Sequence, residues 1–192
     1  MAGLTFGKRR KRIHINYELL LKVAGWFFQI ALGCFLAFLL VWYFGREASV
    51  IGNSMNPQLQ NGDVILVNRL VYDTRKPRRG EVIAFWPNGN ENAHASIKRV
   101  IALPGETITC KEGKLYIDGE LLEEDYPTTE LANLGTLEEP VVLKAGEYFV
   151  LGDDRESSED SRDINIGNVQ REEIIGKVWF VCSPLKHIGL VR

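Results

Sequence analysis

The chain has 192 residues, 45% of them hydrophobic, and a net charge of −2, which leaves room for one folded domain with short appendages. The charge is unevenly distributed: residues 1–22 carry six basic residues and one acid, whereas the rest is net acidic. A nucleic-acid-binding protein carries its positive charge on the folded domain, so this distribution argues against a nucleic-acid partner.

Residues 23–45, VAGWFFQIALGCFLAFLLVWYFG, contain no formal charge. As a helix they would span roughly 35 Å, enough for the ~30 Å hydrocarbon core of a bilayer. The run is longer than the ~7–15 residues of a signal-peptide core, and it is apolar all round, unlike an amphipathic core helix. We therefore predict a transmembrane anchor in the lipid bilayer.

The basic residues favour one orientation of this anchor. A cluster of five occupies residues 8–12, before the apolar run, and only Arg46 follows it closely. By the positive-inside rule, the N-terminus should be cytoplasmic. We expect a single-pass protein of the cell membrane, with a basic cytoplasmic tail (1–22), the anchor (23–45) and an extracytoplasmic domain (46–192).

The pattern beyond residue 45 is typical of a mainly β domain. Glycines bound short segments rich in Val, Ile, Phe and Tyr, and no convincing helical period occurs. We predict an antiparallel sheet, as a sandwich or distorted barrel, with loops at 125–140 and 153–165. The predicted strands are residues 63–70, 81–86, 97–103, 114–118, 147–151 and 174–182.

Cysteine and histidine usage argues against a metal site. The three histidines lie far apart and no Cys-x-x-Cys motif occurs, so we expect no metal and no cofactor. Cys34 lies inside the predicted anchor. We expect Cys110 and Cys182 to be buried free thiols, although a disulfide between them remains open.

Three segments of the outer domain suggest chemistry. Residues 51–59, IGNSMNPQL, contain Ser54 and taken alone indicate a surface turn. In residues 96–106, SIKRVIALPGE, strand alternation places Lys98 on one face with Val100 and Ala102. A lysine among apolar neighbours either extends its amine to solvent or stays neutral by burial, and a neutral amine is a base.

The third segment is residues 152–163, GDDRESSEDSRD. A solvated loop or a calcium loop are the simplest interpretations, but the EF-hand spacing is absent. The interleaved Arg155 and Arg162 favour internal salt bridges instead.

Together these segments, in this order behind an anchor, resemble the successive sequence boxes of type I signal peptidases, especially the short Gram-positive form. The resemblance implies a serine endopeptidase that removes signal peptides from secreted preproteins, cutting after small residues in an Ala-x-Ala pattern. It implies Ser54 as nucleophile and Lys98 as general base, without histidine. Ser158 would help to orient the amine, and Asp160 with Arg162 would form a structural ion pair.

Two further residues follow from the same resemblance. Asp153 belongs to the third box, and Gly52 stands where some members carry a serine that donates to the oxyanion. The backbone N–H of Ser54 would be the first oxyanion donor. Alternatives to this function are a membrane-tethered, non-enzymatic β module that binds a ligand, and a self-cleaving repressor-type Ser–Lys peptidase. The string Ser183-Pro-Leu-Lys186 matches a β-lactamase motif but lacks its partner motifs.

Overall fold

The computed structural model describes residues 17–191, and the side chains of 40–46 are not considered. The basic cluster at residues 8–12 lies outside the described residues. The chain divides into two compact units, Met1–Val41 and Trp42–Arg192. The first described element is the long helix α1, Tyr17–Phe44, which begins six residues before the uncharged run.

Helix α1 has the length and composition of a membrane-spanning helix. Its span Tyr17–Leu39 has a mean hydropathy of 1.8, and none of the span is buried within the protein. Apolar side chains such as Trp26, Phe27 and Phe28 are about 70% exposed (72%, 70% and 67%). Such exposure is costly in water and normal in lipid, which is consistent with a single-pass membrane protein.

The second unit is mainly β, and every strand pairing is antiparallel, which confirms the predicted fold class. An eight-stranded sheet has the order β1-β2-β11-β3-β4-β9-β10, with β12 beside β11, and a smaller sheet has the order β7-β6-β5-β8. The strands are β1 (Gly45–Ser49), β2 (Val64–Asn68), β3 (Val82–Phe85), β4 (Ser96–Ala102), β5 (Thr107–Lys111), β6 (Lys114–Ile117), β7 (Glu120–Leu121), β8 (Val141–Val142), β9 (Glu147–Leu151), β10 (Val169–Gln170), β11 (Ile174–Ser183) and β12 (Gly189–Leu190). A short helix α2 spans Val71–Thr74, and four 3-10 turns complete the described elements.

All six predicted strands are present, within two residues at each end. The sequence pattern did not predict β1 or β5. It also missed the four two-residue strands, and these are too short to show a period. No regular strand lies between Leu121 and Val141, as expected for the loop there. That loop is not confined to the surface, because Leu131 and Leu137 pack into the core of the smaller sheet.

Strand β4 departs from the predicted alternation. Its register with β9 shifts between Val100 and Ala102, which leaves Ile101 as an extra residue. A β-bulge of this kind interrupts the two-residue period. Ala102 therefore packs beside Ile101 in the core of the smaller sheet, whereas Val100 packs with Ile83 and Tyr148. Lys98 therefore lies on the same strand face as Val100, whereas Ala102 does not share that face.

The described cysteines are unpaired. Cys110 lies in the smaller sheet on β5, and Cys182 lies on β11 of the larger one. The expectation of free thiols is therefore confirmed. The expectation that they are buried is wrong, because both are half-buried near strand ends.

Candidate active site

Ser54 lies in the connection between β1 and β2, and this connection is held at both ends. The N–H of Val50 donates to the carbonyl of Asp63 at 2.8 Å, and the N–H of Gly62 donates back to the carbonyl of Val50 at 2.9 Å. Met55 and Leu59 are buried, with 1% and 0% exposure, in the core of the larger sheet. These apolar anchors fix the backbone on the C-terminal side of Ser54, although the segment is a turn.

Gly52 lies in the same connection with a φ of +86°, a conformation that a side chain disfavours. Its N–H donates to Asn61 Oδ1 at 3.1 Å. The glycine therefore has a backbone role in the turn, and it offers no side-chain donor. In the described part of the chain the N–H of Ser54 has no hydrogen-bond acceptor.

Lys98 is on β4, which lies between β3 and β9 within the larger sheet. The side chain reaches the Ser54 connection, and Nζ lies 2.6 Å from Ser54 Oγ. Lys98 is only 5% exposed, so its amine does not extend into solvent. Two residues that are 44 positions apart in sequence are thus in hydrogen-bond contact.

Burial lowers the pKa of the Lys98 amine to about 8, because an ammonium ion loses hydration in this site. The charges of Asp160, Glu159 and Asp153 raise the pKa, and that of Arg162 lowers it, but burial is the largest cause. A substantial fraction of the amine is therefore neutral at mildly alkaline pH, and only the neutral form accepts a proton.

Asp160 and Arg162 form a buried ion pair, with Arg162 Nε 2.8 Å from Asp160 Oδ1 and Nη2 2.9 Å from Oδ2. Asp160 Oδ2 also accepts the N–H of Gly152 at 3.1 Å, and Arg162 Nη1 donates to the carbonyl of Asn133 at 2.7 Å. The pair therefore joins the two ends of the 152–162 loop to the 125–140 loop. This loop is polar in sequence, yet several of its charged side chains are buried.

Asp153 pairs with Arg99, the neighbour of Lys98 on β4. Both side chains are 0% exposed, and the contacts are 2.7 Å from Nε to Oδ1 and 2.6 Å from Nη2 to Oδ2. The Arg99 guanidinium also lies 3.9 Å from the ring centroid of Tyr126. Strand alternation puts Arg99 on the opposite face of β4 from Lys98, but the sequence pattern gives Arg99 no partner. That lone basic residue on an apolar strand face was the available signal.

Gly152 brings the third segment against the first. A Cβ atom at this position would lie 2.2 Å from Ser158 Oγ and 2.4 Å from the carbonyl oxygen of Ser54. The same carbonyl accepts the N–H of Asp154 at 3.1 Å. Only glycine permits this approach, so the 152–162 loop packs directly on the backbone of Ser54.

Ser158 lies beside this contact, close to Gly152. Its Oγ is buried and has no hydrogen-bond partner among the described residues, so it makes no direct hydrogen bond to Lys98. An unpartnered buried hydroxyl is uncommon and costs free energy. The orienting role implied by the resemblance is thus not made by a hydrogen bond in this arrangement.

Ser54 and Lys98 open into a groove of about 330 Å³. Val50, Met55 and Ile97 form part of an apolar wall, and His94 and Glu159 line the same groove. Neither His94 nor Glu159 belongs to the residues that the family resemblance places in the site. Arg155, the other arginine of the third segment, pairs with Glu124 outside that segment, so only Arg162 confirms the internal salt bridge. The described residues contain no group of three or more potential metal ligands.

A serine in contact with a buried lysine is a kind of site that hydrolases use. A family model described as signal peptidase, peptidase S26, matches residues 23–183. Signal peptidase I of Bacillus caldolyticus is 38% identical over 175 residues, covering 85% of this chain and 91% of the relative. Probable signal peptidase I-2 of Synechocystis sp. is 35% identical over 157 residues (77% and 68%), and signal peptidase IB of Staphylococcus aureus is 31% identical over 174 residues (83% and 88%).

The chain belongs to the signal peptidase family, peptidase S26. It is therefore a peptidase, and its membership supports the cleavage of signal peptides by a serine peptidase. The apolar helix α1 is consistent with the membrane anchoring of such enzymes.

Proposed function

We propose that this protein is a signal peptidase in which Ser54 and Lys98 form the catalytic dyad. It would cut preproteins after small residues in an Ala-x-Ala pattern. The observation that carries the proposal is the 2.6 Å contact between Ser54 Oγ and the amine of Lys98, which is 5% exposed. An exposed lysine, with a pKa of about 10.4, would remain protonated near neutral pH and could not serve as a base.

The chemistry follows from this contact. The neutral Lys98 amine takes the proton of Ser54 Oγ as the oxygen attacks the scissile carbonyl carbon. The resulting ammonium then gives that proton to the leaving amine as the peptide bond breaks. A water molecule, deprotonated by the same amine, attacks the ester on Ser54, and the proton returns to Ser54 Oγ when the acid product leaves.

The backbone supports charge development on the substrate oxygen. The N–H of Ser54 has no acceptor in the described residues, so it is free to donate to the oxyanion. Gly52 has no side-chain donor, and its own N–H is bound to Asn61. We therefore assign Gly52 a role in turn geometry, and one oxyanion donor to Ser54.

Three acidic or basic residues would hold the dyad in place without touching the substrate. Asp160 and Arg162 fix the 152–162 loop, and Asp153 anchors the same loop to β4 through Arg99. Because the loop packs on the Ser54 backbone and β4 carries Lys98, these ion pairs control the distance between the two catalytic groups. The family resemblance assigns Ser158 to the orientation of the Lys98 amine, and its Oγ lies beside Gly152, where the 152–162 loop meets the Ser54 backbone.

The specificity and localisation are also proposals. The apolar wall of the groove, formed in part by Val50 and Ile97, suits small uncharged side chains such as alanine. The apolar helix supports a single-pass protein of the cell membrane. The basic residues at 8–12 favour a cytoplasmic N-terminus and an extracytoplasmic peptidase domain. The substrates would then be secreted preproteins that emerge at the outer face of the lipid bilayer.

The dyad is tested by cleavage of a preprotein with the full chain purified in detergent. We expect Ser54→Ala and Lys98→Ala each to reduce the rate by about 10³-fold or more, because the two groups act as one unit. Lys98→Arg should be equally inactive, because a guanidinium stays protonated. A serine-directed acylating probe should label the wild-type protein and not Ser54→Ala.

Ser183 and Lys186 provide a matched control, because they are a second serine and lysine pair and both are exposed. Ser183→Ala and Lys186→Ala should retain the wild-type rate. If Lys98→Ala kept more than a small fraction of that rate, Lys98 would not be the base. If the wild-type chain neither cut a preprotein nor reacted with the probe, a non-enzymatic binding module would be the better description.

A further inference from the structure

Glu159 has a position on the catalytic groove that the proposed chemistry does not use. Only three residues that line the groove are titratable, namely His94, Lys98 and Glu159. Glu159 is therefore the one carboxylate among the lining residues. It is exposed, unlike the neighbouring Asp160, whose carboxylate is fully buried.

The carboxylate of Glu159 is not neutralised by the cations around it. Arg162 pairs with Asp160, and Arg155 pairs with Glu124. Among the described residues Glu159 has neither an ion pair nor a side-chain hydrogen bond. Its negative charge is therefore free to act on whatever occupies the groove.

In the catalytic state, the negative charge of Glu159 is not offset by a positive charge on Lys98, because Lys98 must be neutral to act as a base. Among the residues that line the groove, the carboxylate of Glu159 is then the one negative charge. Low-dielectric walls focus such a field, and the apolar side chains of Val50 and Ile97 provide them.

We propose that Glu159 determines charge specificity: it favours substrates with a lysine or arginine close to the scissile bond and disfavours those with an acidic residue there. This inference rests on the proposed function of the groove. The charge of Glu159 also raises the pKa of Lys98, but among the described residues no hydrogen bond or ion pair joins the two side chains. Glu159 is therefore a specificity residue and not part of the catalytic dyad. An exposed ion pair contributes little free energy, so the discrimination between lysine and glutamate should be about 3- to 10-fold.

The test uses soluble Ala-x-Ala peptides with glutamine, lysine or glutamate at the −2, +1 or +2 position, cleaved by the full chain in detergent at pH 8.5. For at least one position, kcat/KM of the wild type should favour lysine over glutamate by about 3- to 10-fold. Glu159→Gln should bring this ratio close to one, and Glu159→Lys should invert it. The preference should also weaken as salt is raised, because a solvent-accessible pair is screened.

Glu156→Gln is the matched control. Glu156 is an exposed acid of the same loop that does not line the groove, so its loss should leave the ratio unchanged. Cleavage of the neutral glutamine peptides separates the two proposals. If the wild type cuts no peptide, the proposed function fails. If it cuts lysine and glutamate peptides with equal kcat/KM at all three positions, only the role of Glu159 is overturned. The same follows if Glu156→Gln abolishes the preference as Glu159→Gln does.

Discussion

The surroundings of the Lys98 amine strongly lower its pKa. A lysine in water has a pKa near 10.5, and burial lowers the pKa of this one to about 8. Burial of a charge without a partner is costly, which is why lysines in sheet interiors are rare. The site retains one because the neutral amine is the useful species.

The pH dependence of cleavage tests this state of Lys98. Below its pKa the amine is protonated and inactive, so kcat/KM should rise with pH along a limb near 8. The lowered pKa places this limb about two pH units below that of a free lysine, whose pKa is ~10.4. A pH–rate profile on a neutral Ala-x-Ala peptide measures it. A limb near 10, or a flat profile, would rule out a desolvated lysine base.

Ser158 offers a second test at the same scale, because its substitution should lower activity without a matching loss of stability. The buried Oγ has no partner among the described residues, so Ser158→Ala removes an unsatisfied hydroxyl. We expect the free energy of unfolding to stay within about 1 kcal/mol of the wild type, or to rise. Cleavage should nevertheless fall by about 10-fold or more if the hydroxyl orients the amine. Unchanged cleavage would remove Ser158 from the site.

At the scale of elements, strand β4 and the 152–162 loop build the site together. β4 directs Lys98 to Ser54 and its neighbour Arg99 to Asp153. The loop therefore contacts β4 through an ion pair, and it contacts the Ser54 turn through Gly152. Removing one partner from a buried pair such as Arg99 and Asp153 typically costs about 3–5 kcal/mol, so this frame resists local change.

The close approach of Gly152 predicts a strong effect from one methyl group. In Gly152→Ala the added carbon would lie 2.4 Å from the Ser54 carbonyl, a backbone atom that cannot rotate away. We expect kcat to fall by about 10²-fold, because a small misplacement of a nucleophile has a large effect. Cleavage kinetics and thermal unfolding measure the change.

Gly189→Ala is the control for this substitution. A Cβ atom added at Gly189 would meet no atom within 4 Å, and its φ is not left-handed, so the variant should behave as the wild type. If Gly152→Ala also retained full activity, the contact between the loop and the Ser54 turn would not control the site.

At the scale of the whole molecule, one apolar helix and one β domain occupy different environments. The helix exposes apolar side chains along its length, whereas the β domain buries its own in three clusters. In the proposed orientation, protease added to intact spheroplasts should digest the C-terminal domain and spare an epitope at residues 1–12. Permeabilised cells provide the control, in which both parts become accessible. Protection of the C-terminal domain in intact cells would reverse the proposed orientation.

The sequence by itself predicted the helix, the antiparallel class and the main strands. The reason is that an uncharged run and segments rich in β-branched residues are local patterns, which reflect the removal of apolar side chains from water and do not depend on distant residues. It also indicated Ser54 and Lys98, but only through the order of three segments and their resemblance to a family. Neither residue is distinctive by itself, because serine in a turn is common and a lysine on a strand usually extends to water.

The tertiary structure alone decided which of these groups meet. The Ser54 and Lys98 contact, the pairing of Arg99 with Asp153 and the position of Glu159 join residues that are distant in the chain. Such contacts depend on strand order and on the bulge in β4, which no local pattern encodes. The pKa of Lys98 has the same origin, because burial is a property of the packed sheet and the loop above it, not of the residue or its neighbours in sequence.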